Sequence, residues 1–504
     1  MMRDWTLRHY LGLLLLTFLA VLVHGYHLGT DDAAIYIPAI KKAFDPQLYP
    51  FGSEFFMEHG RLSIFSPLVA GSAHLLHVPI DVAIFLWYVF GIFLLLLAGW
   101  RIACLCFSTT RARWGAVSLL AALLTVPIAG TALVIADPYL TARSLSTPTT
   151  ILAIDSFMRG RKMGAFLWIA LTAFVHPQMA VFAIGFLLFL YWTRRETPPA
   201  SRQYTASIPA AMALPSRWPQ GFNFHPAHGT YRDVLYSRTF FFATFWHWYE
   251  WIGVVFPLSI LYVFTRVEPR ATLPDFQRIC RALVPFGILS TLAFLLLNST
   301  RYLMNFVRLQ PMRSFHLLYV LFYVLVGGLF GEYVLKNRLW LWLALFGSLA
   351  IGMSAVNWVS FANSPLIEWP TGGSENPWVS AFLWIRNNTP KDAVFALDPH
   401  YLSIAGEDQH GFRAIAERSM LADADKDSGA VSLFPQLTAD WKDQQRAQGG
   451  FTHFGSVDFM HLAQTYPVTW VVVQSTPPSG LSCPYHNPAV SVCRLPVASK
   501  ATLK

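Results

Sequence analysis

The chain has 504 residues, of which 54% are hydrophobic and 13% charged, whereas soluble domains carry about 25% charged residues. That balance excludes an ordinary soluble protein and leaves room for a large membrane domain plus one further domain. The formal net charge of +9 does not mark a nucleic-acid binder, because most basic residues sit in short clusters at the ends of apolar runs, where they act as topology signals.

A helix needs about 20 apolar residues to cross the hydrocarbon core. Residues 10–26 form the first such run. No small-residue cleavage site follows, and the next segment is charged and aromatic, so the run reads as an uncleaved helix. A loop over 27–61 comes next. Residues 62–76 are apolar but include Ser, His and Pro, and are expected as an interfacial or re-entrant helix. Further runs occupy 82–106, 114–134, 144–158, 163–176, 178–192, 246–264, 283–297, 315–335 and 339–356. The expected fold is a polytopic α-helical membrane protein of about 10–11 transmembrane helices over residues 1–360.

Basic residues set the orientation. Arg3 and Arg8, Arg111 and Arg113, Arg159 with Arg161 and Lys162, Arg194 and Arg195, the group from Arg266 to Arg281, and Lys336 with Arg338 fall in alternate loops. The N-terminus is then cytoplasmic, and the loop 27–61 and the chain after 356 are outside, as in a bacterial inner-membrane protein. The ten runs by themselves would return the C-terminus to the inside. Either one more crossing lies between Arg195 and Trp246, or the pair around His176 is one broken span.

Residues 361–376 are rich in Pro, Gly and Ser and form a linker. From 377 to 504 the pattern is that of a small extracytoplasmic α/β domain, with helical spacing over 377–388 and 441–446 and buried strands at 394–397, 468–474 and 491–495. Cys104, Cys106 and Cys280 lie at cytoplasmic helix ends and stay reduced. Cys483 and Cys493 flank a hairpin, and either pair in an oxidising compartment or remain two structural thiols. No cysteine spacing suggests zinc.

Several residues can carry chemistry. Asp31 and Asp32 follow the first span directly, where Thr30 or Asp31 is expected to cap a helix and Asp32, Tyr36 and Ala39 to share a face. A carboxylate partly desolvated there has its pKa raised toward the range of a general base; the plainer alternative is one cap and one solvated acid. The pair could also hold a divalent cation, though two adjacent carboxylates are not a site by themselves. Arg143, near Asp137, either binds phosphate or snorkels to the interface. His176-Pro177-Gln178 either forms a polar break inside the membrane or a tight outer turn. Glu250 stands in the aromatic stretch Trp246 to Trp251, whose Trp residues suit an interfacial belt, and is left to meet a cation or a sugar hydroxyl. Arg301, Arg308 and Arg313 lie on the outer side, where positive charge is less expected. With Gln310 and His316 at the start of the next helix they are candidates for a phosphate or an anionic lipid headgroup. Walker A, GxGxxG and HExxH motifs are absent from the sequence, and it shows no internal repeat of the kind seen in duplicated transporters.

An opening span, an outer loop that starts with acids and an aromatic (DDAAIYIPAI), a multispan bundle, and a tail with WIRNNTPKDA and ALDPHY together resemble the C-type, membrane-embedded glycosyltransferase superfamily. The pattern is most similar to an uncharacterised bacterial membrane-protein family in or near it. The resemblance implies a polyprenyl-phosphate-linked sugar as donor, an inverting transfer to an acceptor hydroxyl, and Asp31 or Asp32 as base or acceptor-orienting group. No WWD motif occurs in the tail, so transfer to asparagine is not implied. A non-enzymatic transporter or envelope-assembly scaffold is the alternative, and it predicts that Asp31, Asp32, Arg143 and Arg313 scatter rather than converge.

Overall fold

The computed structural model describes residues 7–193, 222–474 and 477–496. The chain is a polytopic α-helical membrane protein with a small C-terminal mixed sheet region. The membrane part contains α1 (Leu7–His24), α2 (Ala33–Phe44), α3 (Glu54–Gly60), α4 (Phe65–Leu76), α5 (Ile80–Cys106), α6 (Thr110–Ala122), α7 (Arg143–Met158), α8 (Lys162–Val175) and α9 (Pro177–Trp192). After the undescribed stretch come α10 (Gly229–Ser237), α11 (Trp248–Arg266), α12 (Pro274–Leu297), α13 (Phe315–Leu329) and α14 (Leu339–Ser360).

Each of the ten apolar runs contains helix, nine of them over most of their length. Among the described residues six stretches are long and apolar enough to cross a membrane: α1, α5, α11, α12, the stretch Arg301–Leu335 that contains α13, and α14. Helices α6 to α9 have 13 to 16 residues and at 1.5 Å per residue rise only about 20–24 Å. The run 114–134 is helical only to Ala122, and irregular chain follows it up to α7.

His176 marks a turn and not a kink. Ile169 of α8 and Ala183 of α9 share one buried cluster with Ala153 of α7, which a continuous helix would hold about 20 Å apart. Pro177 opens α9 at its first position, where its missing N–H costs nothing.

The basic loops gather at one end of the helical body. There Arg101 and Arg159 both bind Asp155, Arg111 binds Glu332, and Arg278 donates to the Leu190 carbonyl. Phe222, which resumes the chain, lies under Arg308, and Asn223 bonds Asn305, at the end that carries Asp31. The chain thus leaves the described residues at one end of the body and returns at the other. Arg194 and Arg195, like Arg3, fall outside the described residues.

The tail contains α15 (Pro377–Asn388), β1 (Val394–Ala396), α16 (Phe412–Ala416), β2 (Ser419–Met420), α17 (Lys426–Leu433), α18 (Thr438–Ala447), α19 (Ser456–Thr465), β3 (Trp470–Gln474), β4 (Ser482–His486) and β5 (Val490–Arg494). The sheet order is β2-β1-β3-β5-β4. The pairs with β1 are parallel, and those with β5 antiparallel. Cys483 and Cys493 are bonded across β4 and β5. The buried runs VFA and VVV were legible as strands because every residue in them is apolar. The exposed alternation of β4 was not.

The tail is docked on the first loop and the start of α5. Lys41, 1% exposed, binds Asp81 at 2.8 Å and Glu417 at 2.9 Å. Arg386 binds Asp81 at 2.7 Å and Glu417 at 2.9 Å. Two cations and two anions thus close a buried ring between the membrane part and the tail. A second tie is His410, whose Nε2 lies 2.6 Å from Glu368 Oε1, with His27 at 3.3 Å from the same oxygen.

Removing one member of a buried pair leaves its partner desolvated and unpaired, at about 3–5 kcal/mol. Asp81→Ala is expected to destabilise the docked tail by about 3 kcal/mol, near the low end of that range, because Glu417 still faces both cations. The expected readout is faster protease cleavage in the linker, and an unchanged cleavage rate would contradict the role of the ring. The histidine tie predicts a pH dependence. Burial pushes His410 down, but Glu368 outweighs it and raises it to about 9 from 6.5. Burial pushes Glu368 up, but His410 and His27 hold it at about 2, against 4.5. The His410 contribution is complete below pH 6.5 and fades as pH rises through 9. The Glu368 contribution is complete above pH 4.5 and fades as pH falls through 2. Hydrogen exchange at residues 27–31 and 407–411, corrected for intrinsic rates, should therefore quicken between pH 6.5 and 9 in the wild type and not in His410→Gln.

Candidate functional site

The candidate site forms where the first loop, the loop before α7 and the tail meet. Residues 29–31 pair with 409–411: Gly411 N–H donates to the Gly29 carbonyl at 2.9 Å, and Asp31 N–H donates to the Gln409 carbonyl at 3.0 Å. This approach requires glycine on both strands. A Cβ on Gly29 would lie 2.9 Å from Ala414 Cβ, and one on Gly411 would lie 2.4 Å from Ala34 Cβ. Asp31 itself sits at φ +50°, in the left-handed region that Asp tolerates better than most residues. The backbone pairing holds it there.

Helix α2 starts later than expected. Its N-cap is Asp32, with no side-chain capping bond, because both carboxylates are engaged across the site. Asp31 accepts from Tyr139 Oη at 2.8 Å and is paired with Lys426. Asp32 accepts from Arg143 Nη2 at 3.0 Å, with Lys426 Nζ at 3.8 Å. Arg143 Nη2 also donates to Asp137 at 2.9 Å, and Thr141 supports the same Asp137 oxygen at 3.1 Å. Arg143 and Asp137 are both buried. A cavity of about 20 Å³ lies beside them, lined in part by Tyr88, Ile135 and Thr147, which is room for a single water.

The expected upward shift of the acidic pair is corrected at Asp32. Burial pushes its carboxyl up, but the charges of Arg143, Lys426 and Arg313 outweigh burial and hold it well below the ordinary carboxylate range. The raised carboxyl is Asp137, where burial wins over Arg143 and the neighbouring aspartates add to it.

Arg313 lies within electrostatic reach of Asp32, Asp137 and Arg143. Among the described residues it forms no ion pair or hydrogen bond, its Nε is buried without a partner, and its guanidinium stands 5.5 Å from the ring of Phe240. His176 and His316 are also near, together with His59, which bonds Tyr36 Oη at 3.1 Å. His316 Nε2 is 2.9 Å from the Ile135 carbonyl, and its Nδ1 has no partner among the described residues. Arg238 stands on the tail side, bound to the Asp425 carbonyl and Ser428.

Asp31, Asp32, Arg143, Arg313, His176 and His316 are therefore brought together. Four other predicted residues are not. Glu250 accepts from the His247 N–H at 2.6 Å and caps α11; its aromatic neighbours Trp248 and Tyr249 are exposed. Arg301 is exposed beside its own neighbour Tyr302. Arg308 donates to the Leu433 carbonyl and stacks on Phe222, so it fastens the tail. Gln310 turns the chain at φ +50° between two short helical turns, with its Oε1 buried and without a partner among the described residues.

The acidic pair does not suit a divalent cation, because its oxygens already face Lys426, Tyr139 and Arg143. Among the described residues no cluster of three or more His, Cys, Asp or Glu is placed to hold a metal. Sequence reasoning did not select Lys426, Tyr139, Asp137, His59 or Arg238. The stretch ADPYLTAR carried a signal for Asp137 and Tyr139, since it sets an acid and a phenol beside Arg143. Nothing local marks Lys426, which lies 395 positions from Asp31.

A family model described as a domain of unknown function, DUF6798, matches residues 376–443, a stretch that carries Gly411 and Lys426. No curated protein matches the chain. Among solved structures, the crystal structure of ArnT from Cupriavidus metallidurans in the apo state is similar at 9% sequence identity and a TM-score of 0.36, with 97% of this chain and 97% of that chain covered.

Proposed function

We propose that the chain is a membrane glycosyltransferase that moves a sugar from a polyprenyl-phosphate donor to an acceptor hydroxyl on the extracytoplasmic side of a bacterial inner membrane. The observation that carries this reading is Arg313. An arginine with no ion pair among the described residues, held against Arg143 beside an acidic pair, suits an anionic ligand, and guanidinium groups bind phosphate oxygens bidentately.

In this reading Asp31 accepts the acceptor's proton. Its side chain is 44% exposed, against 30% for Asp32, and Asp32 is occupied in orienting Arg143. The acceptor oxygen forms a bond to the anomeric carbon while the carbon–oxygen bond to phosphate breaks, so configuration inverts. The phosphate leaves with the electron pair, and Arg313 and Arg143 face its growing charge. Protonation of Asp31 weakens its pairing with Lys426 and frees that ammonium charge for the departing phosphate. Asp32 stays ionised through this step, because the three surrounding cations keep its pKa low.

A scaffold without chemistry is the second reading, favoured by the tie that Lys426 makes between tail and first loop. The two are separated by Asp31→Asn, which is nearly isosteric. It is expected to lower transfer from a labelled polyprenyl-phosphate sugar by at least about 10²-fold, the usual worth of a general base, with expression and tail protection from protease retained. Full turnover in that variant would remove the proposed base. Arg313→Gln is expected to lower transfer by about 10–100-fold, equivalent to about 1.4–2.8 kcal/mol, without disturbing the fold. Lys426→Ala should lower transfer and also loosen the tail. Loosening with normal turnover would favour the scaffold.

A further inference from the structure

At the end of the helical body opposite Asp31, α11 and α12 part around an open pocket of about 330 Å³, lined by Tyr262, Thr265, Arg266, Arg281, Val284 and Pro285. Its two cations come from neighbouring helices. Arg266 Nη2 donates to Tyr262 Oη at 3.0 Å, and Arg281 Nη2 donates to Gln277 Oε1 at 3.0 Å. Each guanidinium is thus steadied by a neutral oxygen four residues back on its own helix. Among the described residues neither is paired with a carboxylate. Both keep further N–H donors for a ligand.

The pocket wall also offers an acceptor. Pro285 lies inside α12 and has no N–H, so the Arg281 carbonyl loses its helical donor. On the flank, Val263 of α11 and Ile288, Leu289 and Leu292 of α12 are exposed, and an apolar surface along membrane helices faces acyl chains. A dianionic soluble ligand would not need that flank.

We propose that this pocket holds the headgroup of an anionic phospholipid. The phosphate lies between Arg266 and Arg281, a headgroup hydroxyl donates to the Arg281 carbonyl, and the acyl chains run along Ile288 and Leu292. The site is separate from the acidic cluster, and its occupancy does not depend on glycosyl transfer.

The test uses the full chain purified in detergent and exposed to phosphatidylglycerol, to phosphatidylcholine of the same chain length, or to inorganic phosphate, with retained lipid read by native mass spectrometry. The wild type is expected to retain phosphatidylglycerol about tenfold over phosphatidylcholine, a difference of about 1.4 kcal/mol. R266Q/R281Q is expected to lose that preference while keeping the thermal midpoint of the lipid-free protein. Should the double variant fail to fold, the single variants Arg266→Gln and Arg281→Gln carry the test, each losing part of the preference. Equal retention of the two lipids by the wild type, or undiminished preference in the variants, overturns the proposal. Displacement of phosphatidylglycerol by millimolar inorganic phosphate overturns the lipid assignment and leaves a simple anion site.

Discussion

Gly29 and Gly411 meet where neither could carry a Cβ, and the position of Asp31 follows from that contact. The chain between α1 and α2 has no room to relax: Gly25 N–H is still bonded to α1, Tyr26 pairs with Leu366, and the Asp31 N–H is bonded to Gln409. A residue held at φ +50° on such a short tether depends on the tail to over-determine its conformation. The acidic pair is therefore a property of the docked tail as much as of the first loop.

The charges at the junction divide into two kinds. The ring of Lys41, Asp81, Arg386 and Glu417 is closed, each ion facing two of the other sign. Buried ion pairs of this sort add little net stability over apolar packing but are costly to break in half, so the ring specifies where the tail sits. The cluster of Asp31, Asp32, Asp137, Arg143, Lys426 and Arg313 is not closed in this way. Among the described residues Arg313 forms no ion pair, Asp137 is pushed toward its neutral form, and Lys426 is shared between two acids. Imbalance of that kind strengthens the case for an anionic ligand, since field strength rises where water is excluded.

The two ends of the membrane body treat their arginines differently. At the end away from Asp31, Arg101 and Arg159 are neutralised by Asp155 and Arg111 by Glu332, while Arg266 and Arg281 are bound to neutral oxygens beside an open pocket. At the other end Arg143 is buried against two acids, while Arg313 feels Asp32 and Asp137 but forms no ion pair with either. Each end thus holds arginines without a carboxylate partner among the described residues: Arg313 at one, Arg266 and Arg281 at the other.

The sequence by itself determined the membrane helices, because a run of apolar residues must be buried in lipid wherever the chain goes, and it marked the buried strands of the tail for the same reason. It also singled out Asp31, Asp32, Arg143, Arg313, His176 and His316, whose polarity is out of place beside such runs. Glu250, Arg301, Arg308 and Gln310 look alike in sequence, yet they serve a helix cap, the surface, the tail and a turn. Only the tertiary structure decided which of these polar groups share a site, and it alone brought Lys426 to Asp31. A local pattern records what a residue must avoid; which partner it meets depends on how distant segments pack, and here that depended on two glycines letting the tail close on the first loop.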